Sequence, residues 1–232
     1  LSMLSATNKS MVQPFGDIAE RYDLLNDFMS LGLHRAWKRT LVELLSRSLN
    51  QTHQVLDLAT GTGDVASLFL NHVPANQIYG ADPCQAMMDQ GKKRFSKLTH
   101  WVRADAESLP FKDSFFKVVT CTFGVRNFHD RSLAFREVAR VLEVGGRFGV
   151  LEIHPIPRKW RYLPFHFFWK VGIPLWGRLF KRLKAYEYLR DSAAQFISPE
   201  VMVEELRPFF DVEYKKALVG GGLVTLIIAK KR

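Results

Sequence analysis

The chain has 232 residues and a mass of 26.7 kDa, enough for one domain with a core of its own. Hydrophobic residues at 47% and charged residues at 24% exclude a disordered, collagenous or coiled-coil chain. The net charge is +10, and Ile153 to Tyr186 holds no Asp or Glu but eight Lys and Arg: Arg158, Lys159, Arg161, Lys170, Arg178, Lys181, Arg182 and Lys184. Two cysteines, Cys84 and Cys121, exclude a disulfide framework and fit a reducing, cytoplasmic setting; neither CxxC nor HxxxH spacing occurs, so no metal site is expected.

Leu1 to Ser10 lacks an apolar stretch long enough for a signal peptide, and residues 1–50 are expected to form an N-terminal helical cap on one domain spanning 1–232. Gln54–Ala59 predicts a first strand running into a glycine-rich turn, with a helix over Asp64–Val73. Gln77–Ala81 predicts a second strand and Gln85–Ser96 a helix; His100–Ala104 and Lys117–Thr122 predict the third and fourth strands. Ser132–Leu142 has helical spacing, with Leu133, Val138, Ala139, Val141 and Leu142 on the apolar side. Gly145-Gly146 is expected to stop that helix before a fifth strand, Arg147–Ile153. The greasy run Tyr162–Gly177 is cut by Lys170 and falls short of the ~20 apolar residues of a membrane span. Ser198–Leu206 reads as a capped helix with Pro199 at its first position, and Asp211–Lys216 with Leu223–Ala229 as a closing antiparallel pair. Strand–helix alternation of this kind specifies a parallel α/β sheet with helices on both faces.

The most specific string is Asp57-Leu58-Ala59-Thr60-Gly61-Thr62-Gly63-Asp64. Gly61 and Gly63 allow a turn that a ligand can approach closely. A dinucleotide would set its pyrophosphate on the following helix, but Asp57 and Asp64 bracket the glycines and would repel it, and Ala66 replaces the third glycine of that fingerprint. Two carboxylates suit a ligand that presents a cation, which favours S-adenosylmethionine. Asp82 ends the second strand, where a carboxylate either accepts both ribose hydroxyls or caps the next helix. Asp105 with Ala106 and Glu107 follows the third strand, placed for an adenine amino group and ring nitrogen. Three acids at three successive strand ends form a crevice of the kind in which open α/β sheets bind ligands.

Several motifs resemble one family, the C-methyltransferases of menaquinone and ubiquinone biosynthesis, a branch of the class I S-adenosylmethionine-dependent methyltransferases. They are Tyr22-Asp23-Leu24-Leu25-Asn26-Asp27-Phe28-Met29-Ser30, His34-Arg35-Ala36-Trp37-Lys38, Val55 to Asp64, Thr122-Phe123-Gly124-Val125-Arg126-Asn127-Phe128, and Arg140 to Arg147. Ile173-Pro174 and Tyr188-Leu189 match more loosely. The resemblance implies a Rossmann-like class I fold with a seven-stranded, mostly parallel sheet closed by an antiparallel hairpin. It also implies cofactor contacts from Thr62, Asp82, Asp105, Ala106 and Thr122. The chain departs from the family in having Arg182-Leu183-Lys184 where acids are usual, and Asp105 where many relatives carry an amide. The implied activity is methylation of a ring carbon of a polyprenylated quinol. Demethylmenaquinol is the favoured acceptor and the ubiquinone-pathway benzoquinol comes next; an RNA or small-molecule methyltransferase on this fold is the rival.

Methyl transfer from a sulfonium is an in-line displacement, so the protein must align the acceptor carbon and exclude water. A ring carbon becomes nucleophilic when its adjacent hydroxyl loses a proton. Arg126 would stabilise a phenolate, or else pair with a carboxylate of the crevice, while Asn127 would position the hydroxyl. The resemblance implies similar roles for both. His129 and His154 are further candidate bases, more naturally read as surface or loop residues, and Tyr22 is a candidate for the acceptor pocket. Residues 154–195 form a basic aromatic insert. Within it, Trp160, Tyr162, Phe165, Phe167, Phe168, Trp169, Trp176 and Phe180 among cations fit a lid, or an interface with anionic lipid, better than a nucleic-acid surface. The sequence leaves a homodimer open.

Overall fold

The computed structural model describes residues 32–156, 191–219 and 223–232, with Asn26, Asp27 and Ser30 before them. Most of the N-terminal signature, and the insert from 157 to 190 with its aromatics and cations, lie outside the described residues. Seven strands form one sheet: β1 (Val55–Leu58), β2 (Ile78–Ala81), β3 (His100–Val102), β4 (Phe116–Thr122), β5 (Leu142–Ile153), β6 (Phe210–Val219) and β7 (Val224–Lys231). Their order is β3-β2-β1-β4-β5-β7-β6. The first five run parallel, and β7 pairs antiparallel with both β5 and β6. The chain leaves β1 toward β2 on one side and reaches β4 on the other. That reversal opens a crevice at the carboxyl ends of the strands.

Each face of the sheet is covered because successive side chains point to opposite sides. Val55, Val118 and Leu151 face α1 (Leu33–Ser46) and α2 (Asp64–Leu68). Leu56, Val119, Phe148 and Val150 face α4 (Arg131–Val141) and α5 (Pro199–Leu206); α3 (Gln85–Arg94) follows β2. From α1, Leu41, Val42 and Leu45 are buried, each burial worth ~1.5–3 kcal/mol. The helix comes so near that a Cβ on Gly149 would lie 2.5 Å from Leu45 Cδ1. That approach brings α1 down beside the crevice. Among the described residues, no helix is long and apolar enough to cross a membrane.

Three expectations need correction. The helix after β1 ends at Leu68 and tightens into a 3₁₀ turn, Phe69–Asn71. Pro74, just downstream, keeps Val73 out of helical conformations. The helix α4 ends at Val141, not at Gly145-Gly146. Leu142 is already extended and pairs with Phe116, and the extra residues up to Arg147 bulge out of register with β4. Leu133, expected on the apolar side of α4, is 40% exposed, whereas Ala134, Phe135, Val138 and Val141 are buried. Asp130 sets this phase by capping the helix, its carboxylate accepting from Leu133 N at 2.9 Å.

Candidate functional site

A cleft of about 780 Å³ opens at the strand tips. Its walls are Leu58, Ala59 and Gly61 after β1; Asp82, Pro83, Cys84 and Met87 after β2; Ala104, Asp105, Ala106 and Glu107 after β3; and Thr122, Phe123, Gly124, Asn127 and Phe128 after β4. A smaller hollow of about 310 Å³ lies on the α1 side, lined by Lys38, Ala59, Thr60, Gly61, Thr62, Asp64, Val65, Thr122 and Phe123. The two share Ala59, Gly61, Thr122 and Phe123, so they meet around the glycine turn.

Of the sequence-predicted residues, Gly61, Asp82, Asp105, Ala106, Thr122 and Asn127 line the cleft, and Thr62 lines the hollow. Asp82 is tied to the start of the next helix, one of the alternatives the sequence left open, and it also faces the cleft. Its Oδ1 accepts from Cys84 N and its Oδ2 from Gly61 N, each at 2.8 Å, which ties the start of α3 to the glycine turn. It is also part of the wall. Burial pushes its carboxyl from 3.8 up to about 6, against the pull of the two N–H donors and with help from the nearby acids Asp57 and Asp105.

Asp57 and Gly63 are not in either wall. The Asp57 carboxylate is buried under the turn, accepting from Thr60 Oγ1 at 2.7 Å, Thr120 Oγ1 at 2.8 Å and Ala66 N at 3.1 Å. Burial raises this carboxyl too, to about 6, opposed by the three donors. It shapes the turn rather than facing a ligand. Gly63 has φ +82°, and a Cβ there would meet Trp101 Cη2 at 2.6 Å, so its glycine serves backbone geometry and packing. Asp64 is also engaged: Oδ2 is 3.2 Å from Lys38 Nζ and Oδ1 is 2.9 Å from Arg94. The acids that bracket the glycines are therefore consumed by the protein, and the carboxylates facing the cleft are Asp82, Asp105 and Glu107.

Arg126 lines neither the cleft nor the hollow, and of its two sequence readings the structure shows the pairing with a carboxylate. Its guanidinium donates to Glu152 Oε1 at 2.6 Å, and the two side chains are 3% and 0% exposed. A cation neutralised by a buried carboxylate offers little field to a ligand. The same guanidinium donates to Phe123 O at 2.6 Å, and Arg126 N donates to Glu152 Oε2 at 3.2 Å. Phe123 needs holding: it has φ +56°, as Ala59 has +54°, and each such non-glycine residue costs ~1–3 kcal/mol. Both strained residues line the two cavities. Asn127 follows directly and does face the cleft.

His129 is exposed, its N donating to Glu107 Oε1 at 2.7 Å. His154 is 1% exposed, with Nδ1 2.8 Å from Ile197 O; burial lowers its pKa. It is therefore a core residue, not a surface one. Sequence reasoning passed over Met87, Phe123, Phe128 and Lys38 as wall residues. The last three lie inside the motifs already quoted, and Met87 lies five residues past Asp82, on the first turn of the next helix.

The comparisons with known proteins agree with this frame. Among solved structures, a SAM-dependent methyltransferase from Thermotoga maritima, described as a possible histamine N-methyltransferase, matches with a TM-score of 0.63. It is 20% identical, over 96% of this chain and 100% of that one. The fold is thus the Rossmann-like fold of the SAM-dependent methyltransferases. A family model described as the ubiE/COQ5 methyltransferase family matches residues 3–231, and the chain belongs to that family. It is 41% identical over 211 residues to "Ubiquinone/menaquinone biosynthesis C-methyltransferase UbiE" of Desulfotalea psychrophila, covering 89% of this chain and 85% of that protein. It is 39% identical over 204 residues to "Demethylmenaquinone methyltransferase" of Thermotoga maritima, covering 87% of each.

Proposed function

We propose that this methyltransferase moves the methyl group of S-adenosylmethionine to a ring carbon of a polyprenylated quinol, with demethylmenaquinol as the principal acceptor. The observation that carries the cofactor half is Asp82 in the wall of a cleft at the sheet's reversal point, with Asp105 and Ala106 across from it after β3. Asp82 would accept from the ribose hydroxyls, and Asp105 with Ala106 would take the adenine edge between Met87 and Phe128. Gly61, Thr62 and Thr122 would bound the donor at the glycine turn. When bound, the cofactor supplies an electrophilic methyl group on a sulfonium.

The acceptor half rests on the family and on the relatives named for demethylmenaquinone and for ubiquinone/menaquinone biosynthesis; the second name favours the benzoquinol as an alternative acceptor. Asn127, at the rim beside Thr122, would orient the acceptor hydroxyl. Arg126 would act through Phe123 and Asn127, as a positioning residue. The N-terminal cap (1–50) and the insert (154–195) would close over the ring and exclude water. The eight cations and many aromatics of the acid-free stretch would set the protein on anionic lipid, where the isoprenoid tail resides.

The test incubates the protein and S-adenosylmethionine with quinol-rich lipid extract or bulk RNA. Mass spectrometry should find one added methyl on the menaquinol precursor and none in RNA. Methylated RNA with unchanged quinol would overturn the reading. Co-sedimentation with anionic but not neutral vesicles checks the membrane contact.

A further inference from the structure

The segment that carries Asn127 runs from β4 to α4 with its backbone held along its whole length. Every backbone N–H from Arg126 to Asp130 donates a hydrogen bond. Arg126 N goes to Glu152, while Asn127 N and Phe128 N close the local turn on Gly124 O and Val125 O at 2.9 and 3.1 Å. The last two, His129 N and Asp130 N, both go to Glu107 Oε1, at 2.7 and 3.2 Å. Glu107 lies 22 residues before His129, on the loop after β3, and it lines the cleft. One carboxylate oxygen therefore joins the wall after β3 to the segment that bears Asn127 and Phe128 in the wall after β4.

The support lies on the β3 side. There Ser108 N donates to Asp105 O at 3.2 Å and Leu109 N to Glu137 Oε2 at 3.0 Å. From α4, Arg140 donates to Leu109 O and Phe111 O at 2.9 and 2.8 Å, so the loop is braced against a helix. The segment after β4 has only the short 3₁₀ turn Val125–Asn127, a form with poorer hydrogen-bond geometry. His129 and Asp130 are exposed, and without Glu107 their N–H groups would turn to water. The clasp thus adds little to the stability of the fold and much to where the segment sits.

We propose that Glu107 is a positioning residue for methyl transfer: from the loop that would take the adenine edge, it sets the segment that presents Asn127 to the acceptor. This assignment rests on the function proposed above. It makes the seat of the donor and the amide that orients the acceptor two parts of one braced unit.

Two variants separate the clasp from a ligand contact. Glu107→Ala removes the acceptor oxygen; Glu107→Gln keeps it, because an amide oxygen can take both N–H groups. With S-adenosylmethionine and the quinol, kcat should fall about 10-fold in Glu107→Ala, the scale of a lost charge-assisted hydrogen bond, and stay within about 3-fold of wild type in Glu107→Gln. S-adenosylhomocysteine affinity in calorimetry and the midpoint of urea unfolding should hold in both. Hydrogen exchange read by mass spectrometry should speed up across residues 126–130 in Glu107→Ala and return toward wild type in Glu107→Gln. The assignment is overturned by an unchanged kcat in Glu107→Ala, or by Glu107→Gln as impaired as Glu107→Ala. It is also overturned if donor affinity falls as far as kcat, which would make Glu107 a donor contact. Wild-type protein that binds S-adenosylhomocysteine and methylates no quinol would overturn the acceptor reading instead. Exchange alone then decides: faster in Glu107→Ala and restored in Glu107→Gln supports the hold of Glu107 on the segment, and equal rates in all three proteins overturn it.

Discussion

Two cation–carboxylate groups flank the strand tips, built from the same kinds of residue and set in different surroundings. Arg126 and Glu152 form a nearly solvent-free ion pair that also grips the Phe123 carbonyl. Lys38 and Arg94 share the single carboxylate of Asp64, with Arg94 partly exposed. In the first group a buried guanidinium meets a buried carboxylate and also holds a strained strand end. The second is partly exposed through Arg94 and borders a hollow. Residue type alone does not separate a structural cation from a ligand-facing one. Burial and position against a cavity do.

The largest expected effect comes from breaking the buried pair. Glu152→Ala strands a buried guanidinium and should cost ~3–5 kcal/mol in urea unfolding, whereas Arg126→Met/Glu152→Met should cost clearly less. If Arg126→Met instead keeps stability and abolishes turnover with the quinol, the guanidinium faces the acceptor and the contrast between the groups is wrong.

Next comes the acid that belongs to neither group. Asp82→Ala removes two N–H acceptors and the proposed ribose acceptor, and should lower S-adenosylmethionine affinity by about 10–100-fold in calorimetry. Unchanged affinity would remove Asp82 from the site. Gly63→Ala forces a Cβ onto Trp101 at a positive φ, and should destabilise by ~1–3 kcal/mol, with a lower Tm.

The smallest effect is a slope. Because the folded Asp82 carboxyl sits near 6, above its unfolded value of 3.8, the folded protein binds that proton more tightly. Its contribution to stability is therefore full below about pH 4 and is lost as pH rises toward about 6. The wild-type minus Asp82→Asn difference in unfolding free energy should fall across that window and level off above it. Ribose hydroxyls favour the ionised carboxylate, so donor affinity should climb through the same range and flatten in Asp82→Asn. A flat difference curve would mean that Asp82 is already ionised at pH 4.

The order of elements was legible because β1, β2, β4 and β5 are short apolar runs punctuated by Gly, Pro and Asp, and because Ser198-Pro199 marks a helix start that the Ser198 side chain does cap. The end of α4 was not. Gly145-Gly146 looks like a helix stop, but the chain turns extended at Leu142 to pair with β4, a tertiary decision that local propensity does not carry. Within the site, Asp82 and Asp105 could be found because each sits just past a strand end. The roles of Arg126 and Asp64 could not, since each depends on a partner 26 residues away in sequence, Glu152 and Lys38 respectively. Both partners were in view as residues; only the fold makes them neighbours.

The most direct measurement is a crystal structure of the protein grown with S-adenosylhomocysteine. The account predicts density along the strand tips, the ribose on Asp82 and the adenine beside Asp105 and Ala106. Strand tips left bare at saturating ligand, or a dinucleotide bound there instead, would contradict it.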